Sequence, residues 1–260
     1  MEIITHGSKK ILADLHTHTL ASQHALSTVK ENLQSGARHK LKYVAITDHF
    51  MNSDDEMARK NELSRIYVLN HISNNSTSTN LIPGIETTVG QDILRKHASD
   101  IEDDTTFRLV GIHKWWIFPD LICEIKKVPE LFQESITSPQ QITPTAFAHI
   151  ERELYLFTNS TTENIKRTLE DIVDVAVAND VFLEINSASL KYNPDNFELM
   201  KYWINYAISR GAKFCFGSDA HYCDDVGDFS SIKFFIDVLN LSGLYVLNYD
   251  NDALGKLFRR

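Results

Sequence analysis

The sequence predicts an α/β fold of the (β/α)-barrel type, and three observations support this prediction. Short apolar runs alternate along the chain with longer segments of helical periodicity, as in β/α units wound around a parallel sheet. About seven or eight such runs occur, and metal-competent side chains follow many of them, at the strand ends where barrel enzymes place their chemistry. The 260 residues also match the usual length of one α/β barrel. We therefore expect a single domain over residues 1–260.

The predicted strands are short apolar runs bounded by polar or turn-forming residues. In chain order they cover residues 11–15, 41–47, 81–85, 107–112, 145–148, 181–185, 213–216 and 244–247.

The predicted helices are placed by capping residues and by apolar spacings of three and four. Ser27 is the expected N-cap of a helix that ends near residue 40, and Pro194 and Gly211 mark the limits of another. Further helices are expected over residues 54–72, from 162 or 163 to 179, over 229–239 and at the end of the chain. The polar run 73–80 is expected to be a solvated loop. The segment 117–144 contains four prolines and is either a cover over the barrel mouth or an irregular loop.

Charge and cysteine content restrict the class of protein. The formal net charge is −9, with acidic and basic residues interspersed, which argues against a broad positive surface for nucleic acid. The three cysteines form no CxxC pair, which favours reduced thiols in a cytoplasmic setting. Residues 1–10 lack the apolar run of a signal peptide, and no stretch has the roughly 18 apolar residues of a membrane span. We expect a cytoplasmic protein without a membrane partner.

Residues 14–18 contain the first candidate metal-binding pattern. Asp14, His16 and His18 alternate with a period of two, so a strand continuing through them would point all three to one face. Two imidazoles on one face can share an ion, but an HxH pair alone is weak evidence for a metal site.

Further candidate ligands follow other predicted strands. Each has a plainer interpretation: a solvent-facing loop histidine at 49, satisfied core histidines at 113 and 149, and caps or ion-pair partners at 86 and 219. However, seven of the 11 histidines lie near predicted strand ends, and so many are not expected there by chance. The full candidate set is His16, His18, His24, His49, Glu86, His113, His149, Asp219 and His221. Imidazole and carboxylate ligands in such numbers are typical of a multinuclear hydrolytic site.

The order of these motifs resembles the polymerase and histidinol phosphatase (PHP) superfamily, and within it the bacterial PHP phosphatases with a trinuclear metal site. The resemblance spans about residues 11–250. It rests on Asp14-Leu15-His16-Thr17-His18, His24, Thr47-Asp48-His49, Gly84-Ile85-Glu86, Gly111-Ile112-His113, Ala148-His149, Leu183-Glu184-Ile185-Asn186 and Gly217-Ser218-Asp219-Ala220-His221.

This resemblance implies a distorted (β/α)7, TIM-like barrel and three divalent transition-metal ions, which can be zinc, manganese or iron. It implies one ion on His16, His18, Glu86 and Asp219, a second on Glu86, His113 and His149, and a third on His24, His49 and His221. The chain departs from relatives after two of its ligands, with His113-Lys114-Trp115-Trp116 and with Ile150-Glu151-Arg152 after His149. The identity of the substrate therefore does not transfer.

Residues beside the candidate ligands suggest supporting roles. Asp14 and Asp48 can accept the spare imidazole N–H of a ligand or stabilise a turn, and Glu184 is expected beside the ligands or the substrate. Lys114 and Arg152 are candidates for phosphate binding, against the alternative of solvated surface charge. The Trp115-Trp116 pair can line a pocket, stack on a base or cover core.

The sequence leaves three functions to distinguish. The leading hypothesis is metal-dependent hydrolysis of a small phosphomonoester by metal-activated water, a phosphatase reaction. The alternatives are a phosphodiesterase or exonuclease on short nucleic acids, and a barrel that binds metals without catalysis. A site kept only for stability needs four ligands and no open position, so the size of the candidate set argues against the last alternative. The oligomeric state does not follow from the sequence.

Overall fold

Seven parallel strands form one sheet in which sequential strands are neighbours. The computed structural model describes residues 5–6, 9–50, 64–65, 68–69, 78–89, 106–113, 124–136 and 144–258, and the seven strands lie within these ranges. They are β1 (Ala13–Asp14), β2 (Tyr43–Ile46), β3 (Asn80–Thr88), β4 (Phe107–Gly111), β5 (Thr145–Phe147), β6 (Phe182–Asn186) and β7 (Lys213–Gly217). A separate antiparallel ribbon pairs Thr5–His6 with Lys9–Lys10.

Backbone hydrogen bonds between the segments that follow β1 and β7 bring the sheet close to a closed barrel. The N–H of Asp219 donates to the carbonyl of His16 at 2.8 Å, and the N–H of His18 donates to the carbonyl of Ala220 at 2.9 Å. A parallel bridge between Thr17 and Ala220 lies at the same place. The predicted distorted (β/α)7 barrel is confirmed.

Alternate residues along the strands form two apolar clusters on opposite faces of the sheet, as the period of two requires. The outer cluster packs the strands against the helices and includes Val44, Ile46, Phe214 and Phe216. The inner cluster fills the barrel with residues from most strands and from the chain end: Ala13, Leu15, Tyr43, Ala45, Ile82, Phe107, Leu109, Ala146, Ala148, Phe182, Cys215, Leu247, Leu254 and Leu257.

The side chain of Asn248 links β1 to β7, and within the described residues no eighth strand lies between them. Its Oδ1 accepts a 2.7 Å hydrogen bond from the N–H of Phe216, and its Nδ2 donates to the carbonyls of Ala13 and Phe216 at 2.8 and 2.9 Å. The predicted strand 244–247 is wrong, because this segment makes only an isolated bridge at Val246 and continues as the 3-10 turn Leu247–Tyr249.

Seven helices of five or more residues, within the described ranges, surround the sheet. They are α1 (Val29–Arg38), α2 (Val128–Ile136), α3 (Thr162–Ala178), α4 (Ser187–Lys191), α5 (Phe197–Ser209), α6 (Lys233–Ser242) and α7 (Asn251–Phe258). None of them combines the length and the apolarity that crossing a membrane demands.

Two predictions about helices need correction. The N-cap of α1 is Thr28 and not Ser27, because the Ser27 hydroxyl accepts the backbone N–H of Cys223, whereas Thr28 and Glu31 form a reciprocal capping box. Part of the segment 117–144 is the packed helix α2, in which Phe132 is fully buried. Most of the predicted helix 54–72 lies outside the described residues, although positions 64, 65, 68 and 69 are helical.

Candidate metal centre

The structure brings the nine candidate ligands together at the C-terminal end of the strands. Most of them lie directly after a strand, because the polypeptide leaves each parallel strand at the same end of the barrel. A cavity of about 240 Å³ opens there, and its walls include His24, His49, His113, Arg152 and His221. His16 and His18, both fully buried, lie beneath it.

The floor of the cavity is formed by two imidazoles that face two buried carboxylates. The Nε2 atoms of His16 and His18 are 3.0 Å apart, and each is 3.3 Å from Oε2 of Glu86. The same nitrogens lie 3.5 and 3.3 Å from Oδ1 of Asp219. Four ligand atoms therefore converge on one point from β3 and from the segments after β1 and β7.

The second carboxylate oxygen of Glu86 faces a different pair of imidazoles. Its Oε1 is 3.0 Å from Nε2 of His113 and 2.9 Å from Nε2 of His149. Since each oxygen of Glu86 faces its own set of nitrogens, this one side chain is placed to bridge two ions.

The remaining three histidines form the outer rim. Nε2 of His24 and Nε2 of His221 are 2.8 Å apart, and the ring of His49 stacks on that of His24 with centroids separated by 5.0 Å. Nδ1 of His49 also lies 3.1 Å from Oε2 of Glu86. His18 stacks on His221 at 4.4 Å, so the rim and the floor are contiguous.

The donor atoms fit divalent ions. Nitrogens that share a tetrahedral zinc at about 2.0–2.1 Å are about 3.3 Å apart, close to the 3.0 Å between His16 and His18. Oε2 of Glu86 is buried and accepts no hydrogen bond within the described part of the chain, although imidazole nitrogens lie 3.1–3.3 Å away. A buried carboxylate oxygen without a donor is a suitable ligand for a cation. Four groups of three side chains have ligand atoms within 4.8 Å of one another, and they use every candidate except His24.

The carboxylates make the floor favourable for positive charge. Burial alone would raise the pKa values of Glu86 and Asp219, but the neighbouring imidazoles, chiefly His16, hold both well below the usual range. Burial would lower the pKa of His18, yet the close carboxylates of Asp219 and Glu86 raise it to about 9. The floor therefore stabilises positive charge, and bound divalent metal ions can supply that charge.

The outer imidazoles have the opposite tendency. Burial, with a contribution from the nearby His18, lowers the pKa of His221 to about 4. Burial also lowers the pKa values of His24, His49 and His149. These rings therefore favour the neutral form, which is the form of imidazole that binds metal ions.

Glu184 is the residue that orients a floor histidine. Its Oε1 is 2.7 Å from Nδ1 of His16, and its Oε2 accepts the backbone N–H of His149 at 3.1 Å. A carboxylate on one ring nitrogen leaves the other nitrogen as the ligand atom. Gly217 makes this contact possible, because a Cβ there would overlap Oε1 of Glu184 and Cβ of His16.

Asp14 binds backbone groups and not an imidazole. It accepts hydrogen bonds from the N–H groups of His16, Ser218 and Gly227 at 3.3, 3.0 and 2.8 Å. Burial raises its pKa to about 6 despite the bonds from Ser218 and Gly227. The strand predicted over 11–15 is β1, which ends at Asp14, so His16 and His18 lie in the segment that follows it and not on a continued strand. Of the two roles left open for Asp14, these bonds match turn stabilisation.

Asp48 is likewise not bonded to a histidine ring. Its carboxylate accepts the backbone N–H and the hydroxyl of Thr19, both at 2.7 Å, and the hydroxyl of Ser22 at 2.6 Å. It therefore holds the loop that follows β1, and any effect on a ligand must pass through another side chain. Ser22 was not among the residues singled out from the sequence, because a lone serine in a loop carries no spacing signal.

Arg152 is a cation that contacts a candidate ligand directly. Its Nη1 donates to Oδ2 of Asp219 at 2.6 Å, and its side chain is one-third exposed at the cavity wall. Lys114 and the Trp115-Trp116 pair lie outside the described residues, so their predicted roles stay predictions.

Comparison with known proteins identifies the family. The profile of the PHP domain matches residues 14–188, about two-thirds of the chain. The chain belongs to the PHP domain family. The predicted membership of the PHP superfamily is thereby confirmed. The profile covers seven of the nine candidate ligands, while Asp219 and His221 reach the centre from outside the matched range.

Similar proteins cover nearly the whole of this PHP domain chain. A protein described as a probable phosphatase from Acetivibrio thermocellus is 23% identical over 256 residues, which are 96% of each chain. Another probable phosphatase, from Caldanaerobacter subterraneus, is 24% identical and covers 94% of this chain and 90% of its own. The crystal structure of histidinol phosphate phosphatase from Lactococcus lactis, complexed with zinc, L-histidinol and phosphate, matches with a TM-score of 0.61. That match covers 91% of this chain and 95% of the other at 14% identity, so it supports the fold.

Proposed function

We propose that this PHP domain is a phosphatase that hydrolyses a small phosphomonoester at a centre of three divalent metal ions. Nine side chains are assigned to the ions: His16, His18, His24, His49, Glu86, His113, His149, Asp219 and His221. The phosphatase assignment draws on the similarity to proteins described as probable phosphatases. The preference for small substrates draws on the size of the cavity, about 240 Å³.

The observation that carries this proposal is the position of Glu86. It is buried at the bottom of the cavity, and its two oxygens face imidazoles that come from different strand ends. A carboxylate shared in this way is the usual bridge between adjacent ions in hydrolytic centres. A structural site for one ion needs four closed ligands and no shared carboxylate.

When bound, divalent ions would lower the pKa of a coordinated water into the neutral range and neutralise charge on the phosphoryl oxygens. The protein's own contribution is to fix the ligands and to exclude bulk water from the floor. Glu184 holds His16 by its Nδ1, and the buried positions of His16 and His18 keep their Nε2 atoms directed at the carboxylates.

Arg152 is assigned to the substrate phosphate. Its guanidinium occupies the cavity wall and has planar donors that match phosphate oxygens. In the present structure one donor is used by Asp219, and the side chain is one-third exposed, so other donors are accessible to an anion entering the cavity. Lys114 remains a second candidate.

The proposal is tested by assaying the purified protein, loaded separately with Zn²⁺, Mn²⁺ or Fe²⁺, against a panel of phosphomonoesters. We expect turnover that chelation abolishes and that the same metal restores. Absence of chelator-sensitive turnover with every metal and substrate would contradict it. Preference for bis(p-nitrophenyl) phosphate over p-nitrophenyl phosphate would replace the monoesterase with a diesterase.

The number of ions is tested separately by metal analysis of the folded protein. We expect three ions per chain in the wild type. We expect fewer in His24→Ala, because His24 is assigned to the outermost ion only. Two ions in both proteins would reduce the centre to a binuclear one while leaving the phosphatase proposal intact.

A further inference from the structure

Ser22 lies between two of the proposed ligands and an aspartate. It is buried, with 4% of its surface exposed, at the end of the short 3-10 turn Leu20–Ser22 in the loop after β1. Its hydroxyl oxygen is 2.6 Å from Oδ1 of Asp48, 3.0 Å from Nδ1 of His18 and 3.1 Å from the backbone nitrogen of His49.

The direction of each of these hydrogen bonds follows from counting protons. A serine hydroxyl has one proton to donate and two lone pairs to accept. Asp48 accepts hydrogen bonds from Thr19 and is placed to take the Ser22 proton at 2.6 Å. The backbone N–H of His49 can only donate, so it occupies one lone pair of the hydroxyl. The remaining lone pair can only accept a hydrogen bond, so Nδ1 of His18 must carry the proton and donate.

We propose that Ser22 is a positioning residue that fixes the tautomer of His18, and that Asp48 supports the centre through Ser22. With its proton on Nδ1, the ring of His18 presents Nε2 to Glu86 and Asp219, each 3.3 Å away. This inference rests on the proposed metal centre, since Nε2 is then the ligand atom. It adds to that centre a residue that touches no ion.

The two floor histidines are therefore oriented by different chemistry. His16 is held directly by a carboxylate, that of Glu184, at 2.7 Å. His18 is held by a neutral hydroxyl, and the carboxylate of Asp48 lies one hydrogen bond further away. Because the same hydroxyl binds the backbone of His49, Ser22 also links the floor to the rim of the cavity.

The test measures zinc affinity, by competition with a chromogenic chelator, in full-length Ser22→Ala. We expect the binding of at least one zinc ion to weaken by about 10–100-fold, the usual effect of losing an outer partner of a ligand. Ser27→Ala is the matched control, because Ser27 is a buried serine of the same loop whose hydroxyl accepts the N–H of Cys223. Folded S22A that binds zinc as tightly as S27A overturns the proposal.

A double-variant comparison tests whether Asp48 acts through Ser22. Asp48→Asn should weaken zinc binding in the wild-type background and have a much smaller effect in the Ser22→Ala background. Residues that act along one chain of hydrogen bonds are non-additive, whereas independent residues add. Full additivity of the two substitutions would contradict the proposed order Asp48, Ser22, His18.

A spectroscopic measurement keeps the inference testable if S22A does not fold. Long-range ¹H–¹⁵N spectra of the zinc-loaded wild-type protein should show Nδ1 of His18 carrying a proton. An unprotonated or zinc-bound Nδ1 would overturn the inference. These spectra require no substrate, so they give the same answer whether or not the protein proves to be a phosphatase.

Discussion

The two ends of the barrel are built from the same strands but filled in opposite ways. At the C-terminal end, imidazoles and carboxylates converge on a shared point, as Glu86 and His16 show. At the other end, the interior is apolar and is covered by α7, whose Leu254 and Leu257 belong to the inner cluster. Along β6 the interior side chain is apolar at Phe182 and acidic at Glu184, only two positions later. The apolar end therefore contributes stability and the polar end carries the candidate site, which is the usual division in barrel enzymes.

This comparison predicts that substitutions at the two ends separate activity from stability. The largest effect is expected for Glu86→Gln at the polar end. Losing the shared negative charge should remove bound ions and lower kcat/KM by about 10²–10³-fold or more. Metal analysis and steady-state kinetics measure both effects, and Glu163→Gln on exposed surface serves as the control. Full activity in folded E86Q would show that the carboxylate is not the bridge.

The next effect is expected in Asn248→Ala, where the side chain links β1 to β7. This substitution removes three hydrogen bonds to buried backbone groups of Ala13 and Phe216. Leaving such groups unsatisfied should lower the free energy of unfolding by about 3 kcal/mol. Urea denaturation measures this loss, with exposed Asn193→Ala as the control. We expect kcat of the folded variant to be unchanged, and a large fall in kcat would show that this link between β1 and β7 also positions the metal centre.

Gly217→Ala tests the place where the two ends meet. The added Cβ would overlap Glu184 and His16, so the hydrogen bond between them should be displaced. We expect metal affinity to fall by about 10–100-fold, as for loss of a ligand's outer partner. Gly255→Ala is the matched control, because its Cβ would only approach the Tyr43 hydroxyl at 3.6 Å. Similar metal affinity in both variants would show that Glu184 does not position His16.

The smallest effect is expected for Thr28→Ala, which removes the capping box of α1. This helix follows the loop that carries the first ligands, yet its cap touches none of them. The substitution should cost about 1 kcal/mol of stability and leave kcat/KM unchanged. Thermal unfolding and kinetics are the measurements. A fall in kcat/KM at a temperature where the variant is fully folded would show that the cap of α1 affects the centre.

The ligand set was predictable because most of its members lie at or just after the C-terminal ends of strands, and parallel strands end at the same place. The contact between His16 and Glu184 was not, because the two residues are 168 positions apart and no local pattern pairs them. Asn248 gives no sequence signal either, since an asparagine in a loop does not reveal that its side chain bonds two strands. Its bonds to β1 and β7 hold residues 244–248 beside the sheet, where the sequence had wrongly predicted an eighth strand.

Other errors had a signal that was available. The helix α2 has apolar residues at positions 128, 132 and 136, a spacing of four, and a proline in its first turn. The prolines elsewhere in the segment 117–144 suggested a loop instead. The misplaced N-cap of α1 also had a signal, because Glu31 follows Thr28 by three positions in the capping-box pattern, whereas Lys30 stands at that distance from Ser27.

The spread of the ligands along the chain has a consequence for biosynthesis. The floor of the centre needs His16 and Asp219, which are separated by more than 200 residues and joined only when the barrel closes. A ribosome-bound chain that has not yet exposed Asp219 lacks one side of the floor. Metal binding should therefore occur late, after most of the polypeptide has left the ribosome. Ions bound at that stage would stabilise the folded state relative to the unfolded one.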